Sequence, residues 1–169
     1  MTSSRRAMLR NSAAVAVGAT AFGAIFSGTA EATSPQRFEA QQCAEIEAVV
    51  KSYELSLNAG DVEGIVRLFT PDAAVLVPNA PTAVGSDAVR AAYTGVFQAI
   101  DIDITFTVAE VQVVSPEWAF LRSTSNGTAT ILANGVKIPS SNQELFVLRK
   151  SQGRWKLARY SFSSALPSA

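Results

Sequence analysis

The segment 53–97 constrains the fold of this chain more than any other part. A helical pattern stops there at Gly60, a second begins at Asp61, and Pro71 ends it. Glycine is favoured just after a helix because it adopts left-handed backbone angles, and an N-cap aspartate accepts from free backbone N–H groups. A short strand and a third helix follow. This order predicts three helices on one side of a pocket.

Apolar residues recur at helical spacing in all three predicted helices. The first helix spans about Phe38 to Asn58, with apolar positions 43, 46, 50, 53 and 57. The apolar stripes of the other two comprise Val62, Ile65, Leu68 and Phe69 in the second and Val89, Tyr93, Val96 and Ile100 in the third. Ser86 or Asp87 is the expected cap of the third helix. Ala73 to Val77 is predicted as a short strand that ends at Pro78.

After Asp101 the pattern changes to long stretches of β-branched and aromatic residues. The predicted strands are Ile102–Val114, Trp118–Ala133, Gln143–Lys150 and Trp155–Ser164. Asn134-Gly135 favours a tight hairpin, and Gly127 in mid-strand is a candidate bulge or bend. Helices followed by an antiparallel meander indicate an α+β fold, with one curved sheet and the helices on one of its faces.

The N-terminal segment has the pattern of an export signal. Arg5-Arg6 precede an apolar, small-residue run from Ala13 to Ala30, which ends in the small-x-small sequence Ala30-Glu31-Ala32. This combination is typical of a twin-arginine signal and predicts a periplasmic or extracellular protein, with no membrane contact after cleavage. A membrane anchor is the alternative, although the run is short for a span. The predicted parts are a signal over 1–32, a linker over 33–40 and one domain over 41–165.

The absence of histidine excludes several kinds of active site. A Ser-His-Asp triad and a Cys-His pair need an imidazole, and zinc or non-haem iron sites need imidazoles or thiolates. The chain also lacks a nucleotide-binding glycine motif. We therefore predict no metal and no cofactor, so any acid–base chemistry falls to carboxylates, tyrosines or a lysine.

Charge and cysteine content narrow the partners further. Fourteen basic and fourteen acidic residues are interspersed, which argues against nucleic-acid binding. Cys43, the single cysteine, falls on the apolar face of the first helix and is expected to be a buried, unreactive thiol.

Three segments resemble the nuclear transport factor 2-like superfamily, which includes ketosteroid isomerase and the SnoaL-like cyclases. They are N-A-G-D at 58–61, L-F-T-P-D-A at 68–73, and the hairpin from Glu144 to Phe162. The chain is most similar to the SnoaL-like group of SgcJ/EcaC type. The resemblance implies a cone, in which a curved antiparallel sheet and three N-terminal helices enclose a pocket. It also implies a homodimer formed through the outer face of the sheet.

The catalytic groups of ketosteroid isomerase carry over only in part. That enzyme uses an aspartate base, with a tyrosine and a protonated aspartate as the oxyanion hole. Tyr53 matches the tyrosine, whereas Val77, before Pro78, stands where the family has its base. If the hairpin glycine Gly153 is used to align the two sequences, Leu145 stands where the family has the protonated aspartate. Glu144 is one residue away from that position. The resemblance therefore argues against steroid-type isomerisation.

The alternation of side chains between the two faces of each strand predicts further pocket residues. Ser123 and Ser125 share one face of their strand, and the resemblance turns Tyr160 and Phe162 inward. Arg122 falls on the opposite face, where it is expected in solvent; a bulge would instead turn it inward to hold an anion. Glu144 is either a surface partner of a nearby arginine or a pocket acid or base. The predicted ligand-binding set is Tyr53, Val77, Arg122, Ser123, Ser125, Leu145, Tyr160 and Phe162.

Three functions remain open from the sequence. The first is an exported, dimeric protein that binds a small apolar or aromatic molecule without converting it. The second is a cofactor-independent cyclase or isomerase in which Tyr53 donates to a developing enolate and the base is either Glu144 or a rim aspartate, Asp101 or Asp103. The third is a dimerisation module without a ligand.

Overall fold

The computed structural model describes residues 34–166, so the predicted signal at 1–32 lies outside the described residues. Three helices precede most of a six-stranded sheet. The elements are α1 Ser34–Asn58, α2 Val62–Leu68, β1 Phe69–Leu76, β2 Ala83–Val84, α3 Ser86–Ala99, β3 Ile100–Ser115, β4 Trp118–Ile131, β5 Val136–Ser151 and β6 Arg154–Ser164. The predicted α+β fold is confirmed. Within residues 34–166, no helix has both the length and the apolar character needed to cross a bilayer.

The helix boundaries differ from the sequence predictions at two N-termini. Helix α1 begins at Ser34 and not near Phe38, so most of the expected linker 33–40 is helical. Pro35 is compatible with this start, since proline is well tolerated in the first turn of a helix. Helix α3 is capped by Gly85, and Ser86 is already helical. The predicted cap at Asp61 is confirmed, because its carboxylate accepts from the Gly64 backbone N–H at 2.8 Å.

Strand β1 is longer than predicted and runs parallel to β6, although it is antiparallel to β2. It begins at Phe69, directly after α2, whereas the expected strand began at Ala73. Pro71 lies inside the strand, between Phe69 and Ala74, where the pairing with β6 shifts register. Proline has no backbone N–H, but Pro71 has no paired residue in β6, so no hydrogen bond between the strands is lost. The sheet is therefore mixed, with the strand order β2-β1-β6-β5-β4-β3.

Helix α1 secures the exposed edge of the sheet at β3. The side-chain amide of Asn58 donates to the Ile104 carbonyl at 2.8 Å, and its oxygen accepts from the Ile104 N–H at 3.1 Å. One carboxylate oxygen of Glu54 accepts from the Phe106 N–H at 2.8 Å. These side chains occupy backbone groups that another strand would otherwise pair with. The same helix face carries the apolar residues that cover the sheet.

Cys43 is half-buried rather than fully buried as predicted. Burial raises the pKa of its thiol, and the nearby carboxylates of Glu39 and Glu47 raise that pKa further. Fewer thiolates form as a result, which disfavours nucleophilic reactions of this cysteine.

Gly127 permits a close approach of two strands and does not form a bulge. It pairs directly with Ile104, and the register of β4 with β3 stays regular there. The register of that pair shifts elsewhere, between Val108 and Glu110. A Cβ atom at Gly127 would lie 2.1 Å from the backbone oxygen of Asp103.

Replacing Gly127 with alanine should therefore destabilise the fold. The backbone of β3 must move to admit the methyl group, so we expect the free energy of unfolding to fall by about 3 kcal/mol or more. Urea denaturation measures this change. Gly95→Ala is the matched control, because an added Cβ there meets no described atom within 4 Å. Alanine in this exposed helix should stabilise by up to about 1 kcal/mol. Equal stabilities of the two variants would contradict the packing described for Gly127.

Candidate functional site

The helices and the inner face of the sheet enclose a cavity of about 410 Å³. Most of its lining is apolar, and the polar groups come mainly from β5 and from tyrosines. The lining residues are Tyr53, Leu57, Val77, Pro78, Ala80, Tyr93, Val96, Ile100, Ile102, Ile104, Ala129, Ser140, Asn142, Glu144, Tyr160 and Phe162.

Three tyrosines meet at the inner end of this cavity. Tyr53 in α1 is only 1% exposed, and its hydroxyl oxygen lies 2.6 Å from that of Tyr93 in α3. Either hydroxyl can donate in this pair. The Tyr160 ring centroid in β6 lies 5.4 Å from that of Tyr53. Helices α1 and α3 and strand β6, which are far apart in the sequence, therefore bring the three tyrosine side chains together.

The three tyrosines remain protonated at neutral pH. Burial is the largest cause that raises the pKa of Tyr53, Tyr93 and Tyr160 well above the ordinary value. The negative charge of Glu144 raises the pKa of Tyr53 and Tyr160 further. Each phenol can thus donate a hydrogen bond, and none is suited to remove a proton.

Glu144 is the carboxyl group of the cavity. It is 5% exposed and accepts hydrogen bonds from Ser123 Oγ at 3.0 Å and from Ser125 Oγ at 2.5 Å. The amide of Asn142 donates to Ser125 Oγ at 3.2 Å and to Ser140 Oγ at 3.3 Å. These contacts link β4 and β5 in one polar network that ends at the cavity.

Two opposing effects act on the protonation of Glu144. Burial raises its pKa above the ordinary value, and the hydrogen bonds from Ser125 and Ser123 lower it by a smaller amount. The net pKa is raised. A carboxyl with a raised pKa and fixed hydrogen bonds is suited to accept or donate a proton in acid–base chemistry.

Leu145 does not line the cavity, contrary to the expectation based on the Gly153 register. Its side chain is 43% exposed, on the face opposite Glu144. Strand β5 pairs Val147 with Arg159 but Leu148 with Leu157, so Ala158 is the extra residue of a bulge in β6. A shift of one residue exchanges the two faces of a strand. The bulge in β6 aligns Phe162 with Glu144, and Glu144 lies inside because it shares one face of β5 with the buried Phe146 and Leu148.

Arg122 also lies outside the cavity. Its Nε donates to Glu110 Oε2 at 2.6 Å on the outer face of the sheet. Arg149 is bound to Asp72, with its closer contact at 2.6 Å. Neither arginine is a partner of Glu144, so the surface-partner alternative is wrong. No lysine or arginine is among the described residues that line the cavity.

The other predicted residues fall on or beside the cavity, and some residues of the site were missed. Val77 and Phe162 line it, while Ser123 and Ser125 reach it through Glu144. Sequence reasoning missed the site role of Tyr93, Ser140 and Asn142. Strand β5 begins at Val136 and not at Gln143, so the period-two series 140, 142 and 144 would have revealed the last two.

Replacing Glu144 with glutamine should change how stability depends on pH. Because the folded-state pKa exceeds the ordinary 4.5, the folded protein holds this proton more tightly than the unfolded chain. The stabilising contribution of Glu144 is therefore full below about pH 4.5 and falls as pH rises through the folded-state pKa. The free energy of unfolding of wild type minus that of Glu144→Gln should decrease from about pH 4 to about pH 8 in urea titrations.

Glu117→Gln, which removes an exposed carboxylate from the β3–β4 turn, serves as the control for this experiment. The raised pKa of Glu144 would be contradicted if the free energy of unfolding of wild type minus that of Glu144→Gln increased with pH.

Comparison with known proteins identifies the family. The profile of the SnoaL-like domain matches residues 49–158. A ketosteroid isomerase-like protein from Erwinia carotovora atroseptica SCRI1043 is 38% identical, with a TM-score of 0.73 over 75% of this chain and 98% of its own. No curated protein matches at a significant level.

Two more distant structures share the fold. A candidate dehydratase of the NTF2-like family from Streptomyces avermitilis is 18% identical, with a TM-score of 0.64 over 76% of this chain and 99% of its own. An uncharacterized cystatin-like protein from Caulobacter vibrioides is 16% identical, with a TM-score of 0.62 over 76% and 92%. The profile match spans more than half of the chain, and the closely similar structure covers three quarters of it. This protein therefore belongs to the SnoaL-like family of the nuclear transport factor 2-like superfamily.

Proposed function

We propose that this protein binds a small, uncharged apolar or aromatic molecule in the cavity. The observation that carries the proposal is an internal hollow of about 410 Å³ whose walls are mainly apolar and whose polar groups lie together. Ligand pockets of about 300–1,000 Å³ with few polar groups are typical of small-molecule sites. The lining offers phenol donors and one carboxyl but no basic side chain among the described residues, which disfavours an anionic ligand.

Filling the cavity should remove this binding. Ala129→Phe adds a ring at a lining position that is 8% exposed, whereas Ala91→Phe adds the same ring at an exposed position of α3. Native mass spectrometry of protein from its own host measures any retained molecule. We expect wild type and Ala91→Phe to carry it, and the occupancy of Ala129→Phe to fall at least about tenfold, since overpacking excludes the ligand.

Circular dichroism of the Ala129→Phe variant checks that it is folded. The binding proposal would be contradicted by wild-type protein that carries no molecule, or by a folded Ala129→Phe variant that keeps the full load.

A second candidate function is acid–base catalysis in the same cavity, supported by Glu144. A buried carboxyl with a raised pKa faces a space that also holds the Tyr53, Tyr93 and Tyr160 phenols. In a cyclase or isomerase reaction, Glu144 would remove a proton next to a carbonyl, and a phenol would donate to the oxygen on which negative charge develops. Val77 lines the cavity where the family has its base, so Glu144 would have to serve in that role.

Tyr53→Phe and Glu144→Gln test the catalytic candidate once the bound molecule is identified. Each should lower turnover about 100-fold, because one removes a donor and the other removes the base. Thermal unfolding verifies that both variants are folded, and Glu117→Gln serves as the surface control. Full turnover in both variants would exclude this mechanism and leave binding as the function.

Export and pairing complete the proposal. The arginine pair and small-residue run within 1–32 support export, and exposed Leu145 and Val114 on the outer face of the sheet support a homodimer. Cell fractionation and light scattering measure these two properties. A cytoplasmic protein or a monomer at micromolar concentration would contradict the respective statement.

A further inference from the structure

A second hollow lies beside the candidate site, between α3 and the segment that connects β1 to β2. Its volume is about 550 Å³. Val75 and Ala83 line it from the sheet, and Ala92, Gly95 and Ala99 line it from α3. Every residue of its lining is apolar except for the hydroxyl of one tyrosine. We call this hollow the α3 groove.

The α3 groove adjoins the cavity, and the two hollows share part of their lining. The residues that line both hollows are Val77, Ala80, Tyr93, Val96 and Ile100. Ser140, Asn142 and Glu144 line only the cavity. The polar groups therefore lie on the cavity side of the two adjoining hollows, and the groove side is apolar.

We propose that the α3 groove receives the hydrocarbon tail of an elongated amphiphilic ligand whose polar head lies in the cavity. The proposal rests on the proposed binding function and adds the shape of the ligand. A head with one hydroxyl or carbonyl group suits the phenols and Glu144, because these groups donate and accept hydrogen bonds. A tail without polar atoms suits the groove, since it offers no partner for them apart from Tyr93.

Gly95 gives a direct way to fill the groove. The residue lies within α3, where glycine is less favourable than alanine, and a Cβ added there meets no described atom within 4 Å. Gly95 lines the groove, so a leucine at this position adds apolar bulk beside it without a clash at Cβ. Ala92, one turn earlier on the same side of α3, offers a second position for the same change.

The test titrates the full chain with 4-alkylphenols whose tails increase from methyl to octyl, using isothermal titration calorimetry. For wild type we expect affinity to increase about fourfold for each methylene that enters the groove. Gly95→Leu should bind 4-methylphenol as tightly as wild type but lose the increase for the longer tails. Ala92→Leu should give the same result.

Two controls separate the groove from general effects on α3. Gly95→Ala adds only a methyl group and should keep most of the increase. Ala91→Leu adds a leucine at an exposed position that lines neither hollow, and it should behave as wild type. The groove proposal would be overturned if the affinity of Gly95→Leu and Ala92→Leu for 4-alkylphenols increased with tail length as much as that of wild type.

The outcomes distinguish this proposal from the proposed function. If 4-methylphenol binds wild type and Ala129→Phe weakens that binding, the cavity is a binding site whatever the tail length does. If tail length then has no effect in wild type, the groove proposal fails and the binding function stands. If Ala129→Phe leaves 4-methylphenol binding unchanged, the cavity is not the site and both proposals fail.

Discussion

The rest of the structure depends on the packing of α1 against the sheet, with Tyr53 at the centre of the contact. Its ring centroid lies 5.7 Å from that of Phe146 and 5.4 Å from that of Tyr160, in edge-to-face arrangements. Aromatic contacts of this kind add about 0.5–1.5 kcal/mol each beyond the burial of area. Asn58, one turn further on, bonds both backbone groups of Ile104 in β3. One helix therefore covers the sheet, bonds to its edge and supplies Tyr53 and Leu57 to the lining of the cavity.

The polar groups inside this packing are paired with one another before any ligand arrives. The Glu144 carboxylate accepts hydrogen bonds from two serine hydroxyls, and the phenol of Tyr53 is hydrogen-bonded to that of Tyr93. Burying a carboxyl without such partners would be costly, and protonation offsets part of the cost that remains. The site is thus preorganised, which limits the conformational entropy that a ligand loses on binding.

Membership of the SnoaL-like family defines the scaffold but not the reaction, because this type of fold supports several functions. The residues of this chain narrow the choice. Val77 replaces the aspartate base that the resemblance to ketosteroid isomerase would require, and the only carboxyl among the described lining residues is Glu144. Binding and acid–base catalysis would both take place in this cavity. In either case, the adjoining α3 groove would give room for a longer ligand.

The sequence by itself determined the local elements. Helical periodicity, the cap at Asp61 and the alternation in β4 are short-range properties, and each was predicted from residues a few positions apart. The tertiary structure decided the parallel pairing of β1 with β6, the bulge at Ala158 and the inward position of Glu144. A strand with mixed side chains on both faces does not specify which face is buried, and the bulge in β6 changes which residues of β5 and β6 lie opposite each other. Such choices depend on contacts between elements far apart in the chain, so local patterns do not reveal them.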